Sequence, residues 1–295
     1  MSSLHTQYPW LKITTTVEDY VAPDYYDRLL KPYSFEGKTD LEYFASFLEK
    51  LQKKPIKALE LGPGTGRVTD CALQHAPFSS LSLVDLSTQM LAASRQRFSE
   101  LNFVNYFQDD SLRFLEHAHD TYDLIYTLWS FSHSIHQLMI QKPLGEVALY
   151  VKQVLRKMVL ENMELGSWFY LIHFDGQSDE QKILIEQWRK KYSFYTSGQQ
   201  SPSKGFVDSV FEELQKEGVI EFSLVHHLGD EIVYESKDEA LEIFLNFHLE
   251  SHFNNEPYIT DIIKEMETYF EQFTDADGRV RIKPGCFEYQ VRKLV

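Results

Sequence analysis

The chain has 295 residues, enough for one large α/β domain or two small ones, and its 43% apolar and 25% charged residues sit close to globular averages, which argues against a disordered chain. A formal net charge of −15 disfavours a polyanion as main partner, because phosphate binding needs clustered Lys and Arg, so no nucleic acid is expected. Only Cys71 and Cys286 occur, far apart, so neither a disulfide framework nor a thiolate metal site is indicated; no apolar run approaches the ~18 residues of a membrane span, and MSSLHTQYPW lacks a basic-then-apolar stretch, so the expectation is a cytoplasmic protein with no membrane partner.

Residues 1–35 carry Tyr8, Trp10, Tyr20, Tyr25, Tyr26 and Tyr33 among acidic residues, a ring density suited to a lid that folds over a site. Thr39 and Glu42 have capping-box spacing, and Leu41, Phe44, Ala45, Leu48 and Leu51 share a face, which predicts a helix. Past Pro55, the apolar runs IKALEL, LSLVDL, NFVNYF, YDLIYTLW and SWFYLIHF alternate with helix-length segments, the signature of a parallel sheet covered on both faces. Ser87 is the expected N-cap of a helix from Thr88 to Leu101, a long helix is expected from Pro143 to Met163, and Gly166 is expected to open the fifth strand. Beyond Phe174 the expected elements are helices from Ser178 to Tyr192 and through Val207 to Lys216, the strand VIEFSLVHHL, and helices from Asp238 to His248 and from Thr260 to Phe273. A turn at Asp277-Gly278 and a terminal strand, CFEYQVRKLV, complete the chain. No repeat or linker marks a boundary, so one domain is expected: 1–52 as a helical lid, 53–175 as a cofactor-binding core, and 176–295 as substrate-side insertions with the last two strands.

The sharpest chemical signal is Ala58-Leu59-Glu60-Leu61-Gly62-Pro63-Gly64-Thr65-Gly66, a buried strand running into three glycines and then a helix. The spacing is GxGxG, so the dinucleotide fingerprint is not met, and Glu60 would repel a pyrophosphate while attracting a cation. Asp85 ends the second strand, where a carboxylate can accept bonds from both ribose hydroxyls. Gln108-Asp109-Asp110-Ser111 follows the third strand, where a carboxylate or amide can read an adenine edge or cap a helix.

These segments resemble the class I S-adenosylmethionine-dependent methyltransferases over roughly Ile56 to Phe174: LELGPGTG, DLSTQML, QDDS and YDLIYTLWSFSH fall in the family's order. The resemblance implies a Rossmann-like seven-stranded α/β sheet whose last strand is antiparallel, with helices on both faces. It further implies S-adenosylmethionine as cofactor and S-adenosylhomocysteine as product. Glu60, Gly62 and Gly64, with Pro63 and Gly66 in the same turn, would hold the amino-acid arm, Asp85 the ribose, and Leu86 and Met90 the adenine face. Asp110, or Asp109 beside it, with Ser111, would meet the adenine amino group; Thr127 and Leu128 would border the methionine moiety; and His133 matches a histidine that can act in catalysis. A second resemblance, to histamine N-methyltransferases, covers the length and the segments after the fifth strand, although the GPGTG turn is the standard class I form.

Methyl transfer needs an aligned nucleophile and exclusion of water, and no metal. Aromatic faces suit a cationic donor or acceptor, which singles out Tyr26, Tyr33, Trp129 and Trp188. His133 and His136 are three apart, as are His117 and Asp120, with no third ligand apparent, so no metal site is expected. The expected activity is methylation of a small-molecule acceptor, first an amine nitrogen and alternatively a hydroxyl; an NAD-linked oxidoreductase and a non-catalytic cofactor-binding protein are the rivals of other classes.

Overall fold

The computed structural model describes residues 2–12, 23–51 and 54–295. Tyr20, residues 13–22 and 52 of the expected lid, and the side chain of Tyr25 lie outside the described residues.

Two helices, α1 (Ser2–Gln7) and α2 (Pro23–Leu30), precede α3 (Asp40–Leu48). The capping box forms: the Thr39 hydroxyl accepts from the Glu42 N–H at 3.2 Å, and the Glu42 carboxylate accepts from the Thr39 N–H at 2.7 Å. The alternating half follows as β1 (Ile56–Leu61), α4 (Arg67–His75), β2 (Phe78–Asp85), α5 (Thr88–Arg97), β3 (Val104–Gln108), α6 (Ser111–His117), β4 (Tyr122–Leu128), α7 (Phe131–Met139), α8 (Leu144–Lys157) and β5 (Met163–Phe174). The remainder is α9 (Asp179–Lys191), α10 (Pro202–Lys216), β6 (Ile220–Leu228), β7 (Ile232–Tyr234), α11 (Lys237–Ile243), α12 (Ile259–Glu271), β8 (Val280–Ile282) and β9 (Gly285–Lys293). Single π-turns at Met158–Asn162 and Phe244–His248 extend α8 and α11.

Seven strands form one sheet in the order β3-β2-β1-β4-β5-β9-β6, with β9 running antiparallel to both of its neighbours. The chain works outward from β1 to β3 and then crosses back to β4, so the carboxyl ends of β1 and β4 flank the switch point where open α/β sheets bind ligands. Alternation along the strands divides the core in two. Ala58, Leu83, Leu124, Tyr126 and Tyr170 face α3, α4 and the C-terminal helices, whereas Leu59, Leu61, Ile125, Phe169 and Leu171 face α6, α7, α8 and α10.

Some elements depart from the expectation. Gly166 lies inside β5 at φ +77°, beside a register shift between Tyr122 and Leu124, so it shapes a bulge and does not start the strand. The tenth helix begins at Pro202, ahead of Val207, because a proline at the first turn loses no hydrogen bond. The β7–β8 pair is new, since three-residue strands are too short to leave a period.

The N-terminal segment is held by its backbone. Asn246 accepts from the Lys12 N–H at 3.1 Å and donates to the Trp10 carbonyl at 2.9 Å, while Asn254 donates to the Lys12 carbonyl at 2.7 Å. Among the described residues no helix is long and apolar enough to cross a membrane.

Candidate functional site

At the end of β1 the chain turns through Gly62, Gly64 and Gly66 at φ +73°, +55° and +92°, values that L side chains rarely adopt. A side chain at Gly62 would drive its Cβ to 2.0 Å from Ser130 Oγ, and one at Gly66 would come to 2.4 Å from the Phe98 ring. Gly64 differs: its Cβ would meet nothing within 4 Å, so the turn opens onto free space at that residue. Thr65 Oγ1 donates to Asp27 at 2.6 Å, which ties the helix α2 of the expected lid to the turn.

Glu60 is 1% exposed and accepts from Thr69 at 2.7 Å and from Tyr126 at 2.8 Å, both on Oε2. Burial pushes its carboxyl up to about 7, against the pull of those two hydroxyls. The Asp85 carboxylate accepts from the Gly64 N–H and the Ser87 N–H, each at 2.9 Å, so the residue expected at the ribose also braces the glycine turn. Burial raises its pKa, with these backbone donors opposing. Next to it Leu86 leaves 50% of its surface open, and Met90 is buried on the first turn of α5. Asp110 caps α6, one oxygen taking the N–H groups of Leu112 and Arg113, while Asp109 accepts from the Asp110 N–H and the Arg113 guanidinium. Ser111 is buried as the first residue of that helix.

These residues fit a nucleoside cofactor with a cationic amino-acid arm. The buried Glu60 and half-buried Asp85 carboxylates, an open turn at Gly64 and an apolar face at Leu86 stand together, and Arg67, the base at the start of α4, is spent on Asp40. A pyrophosphate would meet the carboxylates of Glu60 and Asp85.

The end of β4 joins this groove to a second space. Thr127 and Leu128 are buried, Thr127 Oγ1 lies 2.9 Å from Ser130 Oγ, and Ser130 donates to the Leu61 carbonyl at 2.8 Å. Trp129 sits at φ +71°, a conformation costing roughly 1–3 kcal/mol for a bulky residue. Its indole N–H donates to Asp40 at 2.7 Å, and the same carboxylate takes a two-pronged pair from Arg67 at 3.0 and 2.6 Å. Burial opposes the Asp40 charge, but Arg67 and the indole more than offset it and hold the pKa low.

Beyond Trp129 lies a cavity of about 130 Å³, and Tyr26, Tyr33, Trp129 and Trp188, the rings singled out from sequence, all line it. Tyr26 also feels the charges of Arg67, Asp85 and Asp40, which places it at the junction with the glycine turn. His133 reaches the cavity from α7, 48% exposed, with its Nδ1 3.0 Å from Glu250. Burial disfavours its charge, yet the hydrogen bond and charge of Glu250 outweigh this and raise its pKa. Glu250 and Ser251 follow the second π-turn at φ +51° and +55°, two strained residues in succession. Tyr33, also on the cavity wall, donates its hydroxyl to the buried Glu180, and His248 Nε2 lies 3.3 Å from that hydroxyl.

Several of these residues were not found from sequence. Asp40 reads as an ordinary acidic residue in the first turn of α3, and Glu250, His248 and Glu180 carry no local motif. His133 and His136, three apart on α7, share a cavity wall.

Residues 58–153 match the family model for a methyltransferase domain. A proposed methyltransferase from Bacillus halodurans C-125 superposes with a TM-score of 0.51 at 13% identity, covering 87% of this chain and 99% of that one. The YcgJ protein from Bacillus subtilis does so with a TM-score of 0.53 at 11% identity, covering 86% and 97%. At these identities the likeness is one of fold. No curated protein matches the sequence.

Proposed function

From the premise that this chain carries a class I S-adenosylmethionine-dependent methyltransferase domain, we propose that it methylates the nitrogen of a small amine held in the cavity behind Trp129. The observation that carries this reading is the placement of that cavity: its wall residue Trp129 precedes Ser130, which bonds the Leu61 carbonyl at the start of the glycine turn, and it presents aromatic faces together with the His133–Glu250 pair.

In this reading the backbone of Gly62 to Gly64 and the Glu60 carboxylate hold the cofactor's amino-acid arm, Asp85 the ribose, and Leu86 and Met90 the adenine. When bound, the cofactor supplies a methyl carbon made electrophilic by its sulfonium, and the C–S pair returns to sulfur as the N–C bond forms. The work left to the protein is alignment, exclusion of water and removal of one proton from the nitrogen. Aromatic walls favour the cationic form of an amine on entry. With Nδ1 of His133 donating to Glu250, Nε2 is the atom that takes the proton, and the carboxylate stabilises the imidazolium that results.

Two results test this. Asp85→Ala should weaken S-adenosylhomocysteine binding by roughly 2–3 kcal/mol, through lost charge-assisted hydrogen bonds and a loosened turn. Calorimetric titration alongside NADH checks both the residue and the cofactor class; unchanged affinity, or binding of NADH alone, sinks the assignment. If His133 must be neutral to accept a proton, activity rises with pH through a pKa above the ordinary 6.5, and Glu250→Gln should move that limb to lower pH. His133→Gln should lower kcat about 100-fold and leave S-adenosylhomocysteine binding intact. A pH–rate profile identical in the wild type and Glu250→Gln would remove His133 from the reaction.

A further inference from the structure

One carboxylate ties the two strand ends that flank the switch point. Arg67 is the first residue of α4, directly after Gly66 of the glycine turn, and its guanidinium donates to both oxygens of Asp40 at 3.0 and 2.6 Å. The Asp40 oxygen that takes the shorter bond also takes the indole N–H of Trp129 at 2.7 Å, and Trp129 directly follows the last residue of β4. The turn after β1 and the end of β4 therefore meet on Asp40, and a ligand seated at the switch point lies beside the Arg67–Asp40 pair. The pair is shielded from water: Asp40 is 3% exposed and the Arg67 side chain 17%.

Charge in such surroundings acts over longer distances than it does in water. Burial raises the pKa of Glu60, and Arg67, although paired, is among the groups that pull against it, so its charge is felt across the turn. With Arg67 and Asp40 cancelling each other, Glu60 and Asp85 set the sign of the groove, which is negative once Glu60 has ionised above about 7. Asp40 stands outside the glycine turn, on α3, and its charge serves the groove by neutralising the base next to it.

We propose that Asp40 is a specificity-determining residue for the cofactor: by pairing off Arg67 it keeps the groove negative, so that the groove distinguishes the sulfonium of S-adenosylmethionine from the neutral thioether of S-adenosylhomocysteine. This rests on the placement of the cofactor at the glycine turn. Methyl transfer removes one positive charge from the cofactor, so a negative groove holds the donor and loosens its grip on the product. Without the Asp40 charge, Arg67 would offset Glu60 and Asp85 and blunt that distinction. One extra unit charge about 10 Å from another, at an effective dielectric constant of about 20, alters a binding constant roughly tenfold.

The test is calorimetric titration of the full chain at pH 8 with S-adenosylmethionine and, separately, with S-adenosylhomocysteine. Asp40→Asn keeps the side-chain shape and an oxygen for the indole N–H, and it should weaken S-adenosylmethionine about tenfold more than S-adenosylhomocysteine. Asp40→Asn combined with Arg67→Gln removes both charges and should restore the wild-type ratio of the two affinities. Arg67→Gln alone leaves the Asp40 charge in place, so it should shift the ratio the other way, and it carries the test if the Asp40→Asn chain does not fold. The two ligands differ by one methyl group and its charge, so a loss of packing lowers both affinities together. Equal changes in both, or an unchanged ratio in a folded single variant, overturn the proposal. An Asp85→Ala chain that binds S-adenosylhomocysteine as tightly as the wild type instead overturns the cofactor placement beneath it.

Discussion

Gly62→Ala is expected to destabilise the free protein by about 3–5 kcal/mol, the sum of overpacking and of a left-handed backbone imposed on a side chain. The new Cβ would lie 2.0 Å from Ser130 Oγ and 2.3 Å from Ser130 Cβ. Ser130 cannot swing aside cheaply, since its hydroxyl bonds the Leu61 carbonyl at 2.8 Å and lies 2.9 Å from Thr127 Oγ1. Adding Ser130→Gly should relieve the clash and leave the backbone strain, about 1–2 kcal/mol, together with the loss of the Ser130 hydrogen bonds to Leu61 and Thr127. Gly64→Ala is the contrasting case: its Cβ enters open space, so folding stability should change far less while S-adenosylhomocysteine affinity drops. Urea unfolding of the three variants checks the ordering. A Gly62→Ala protein within 1 kcal/mol of wild type would mean that the β1 and β4 ends are not seated against each other as described.

The second large effect concerns Glu60 and pH. Its carboxyl is raised from 4.5 to about 7 by burial, so the folded protein binds a proton there that the unfolded chain has released. The stabilisation from that proton is fully present below about 4.5 and is lost as pH rises through about 7. The interval corresponds to about 3 kcal/mol. Glu60→Gln keeps the volume and lacks the titration, so the stability difference between variant and wild type should grow by about 3 kcal/mol from pH 5 to pH 8, in favour of the variant. Unfolding free energies measured at several pH values check this, and parallel curves for the two proteins would refute it. A cation placed beside Glu60 reverses the balance by favouring the carboxylate, so S-adenosylhomocysteine affinity should rise over the same range in the wild type alone.

The half of the site around the glycine turn was legible because it is local. Glu60 to Gly66, Asp85 and Asp110 each sit at a strand end whose position follows from a run of apolar residues, and a parallel sheet lines such ends up along one edge. The cavity was legible only as a set of rings. Tyr26 in α2, Tyr33 in the turn after it, Trp129 just past β4 and Trp188 in α9 are related by no spacing rule. Glu250 was invisible for a physical reason: the segment from Asp238 to His248 reads as one continuous helix, whereas a π-turn at Phe244–His248 followed by two left-handed residues redirects the chain toward His133. Asp40 was hidden in a different way. Its tie to Arg67 and Trp129 is a tertiary property of a residue whose local setting already accounts for its charge.

The clasp that Asn246 and Asn254 place on residues 10–12 spans 234 to 242 positions of sequence. On the ribosome those first residues, with Tyr8 and Trp10, emerge long before the two asparagines that receive them. A chain cut before Asn246 would contain the whole glycine turn and yet lack Phe247, His248 and Glu250 of the cavity wall.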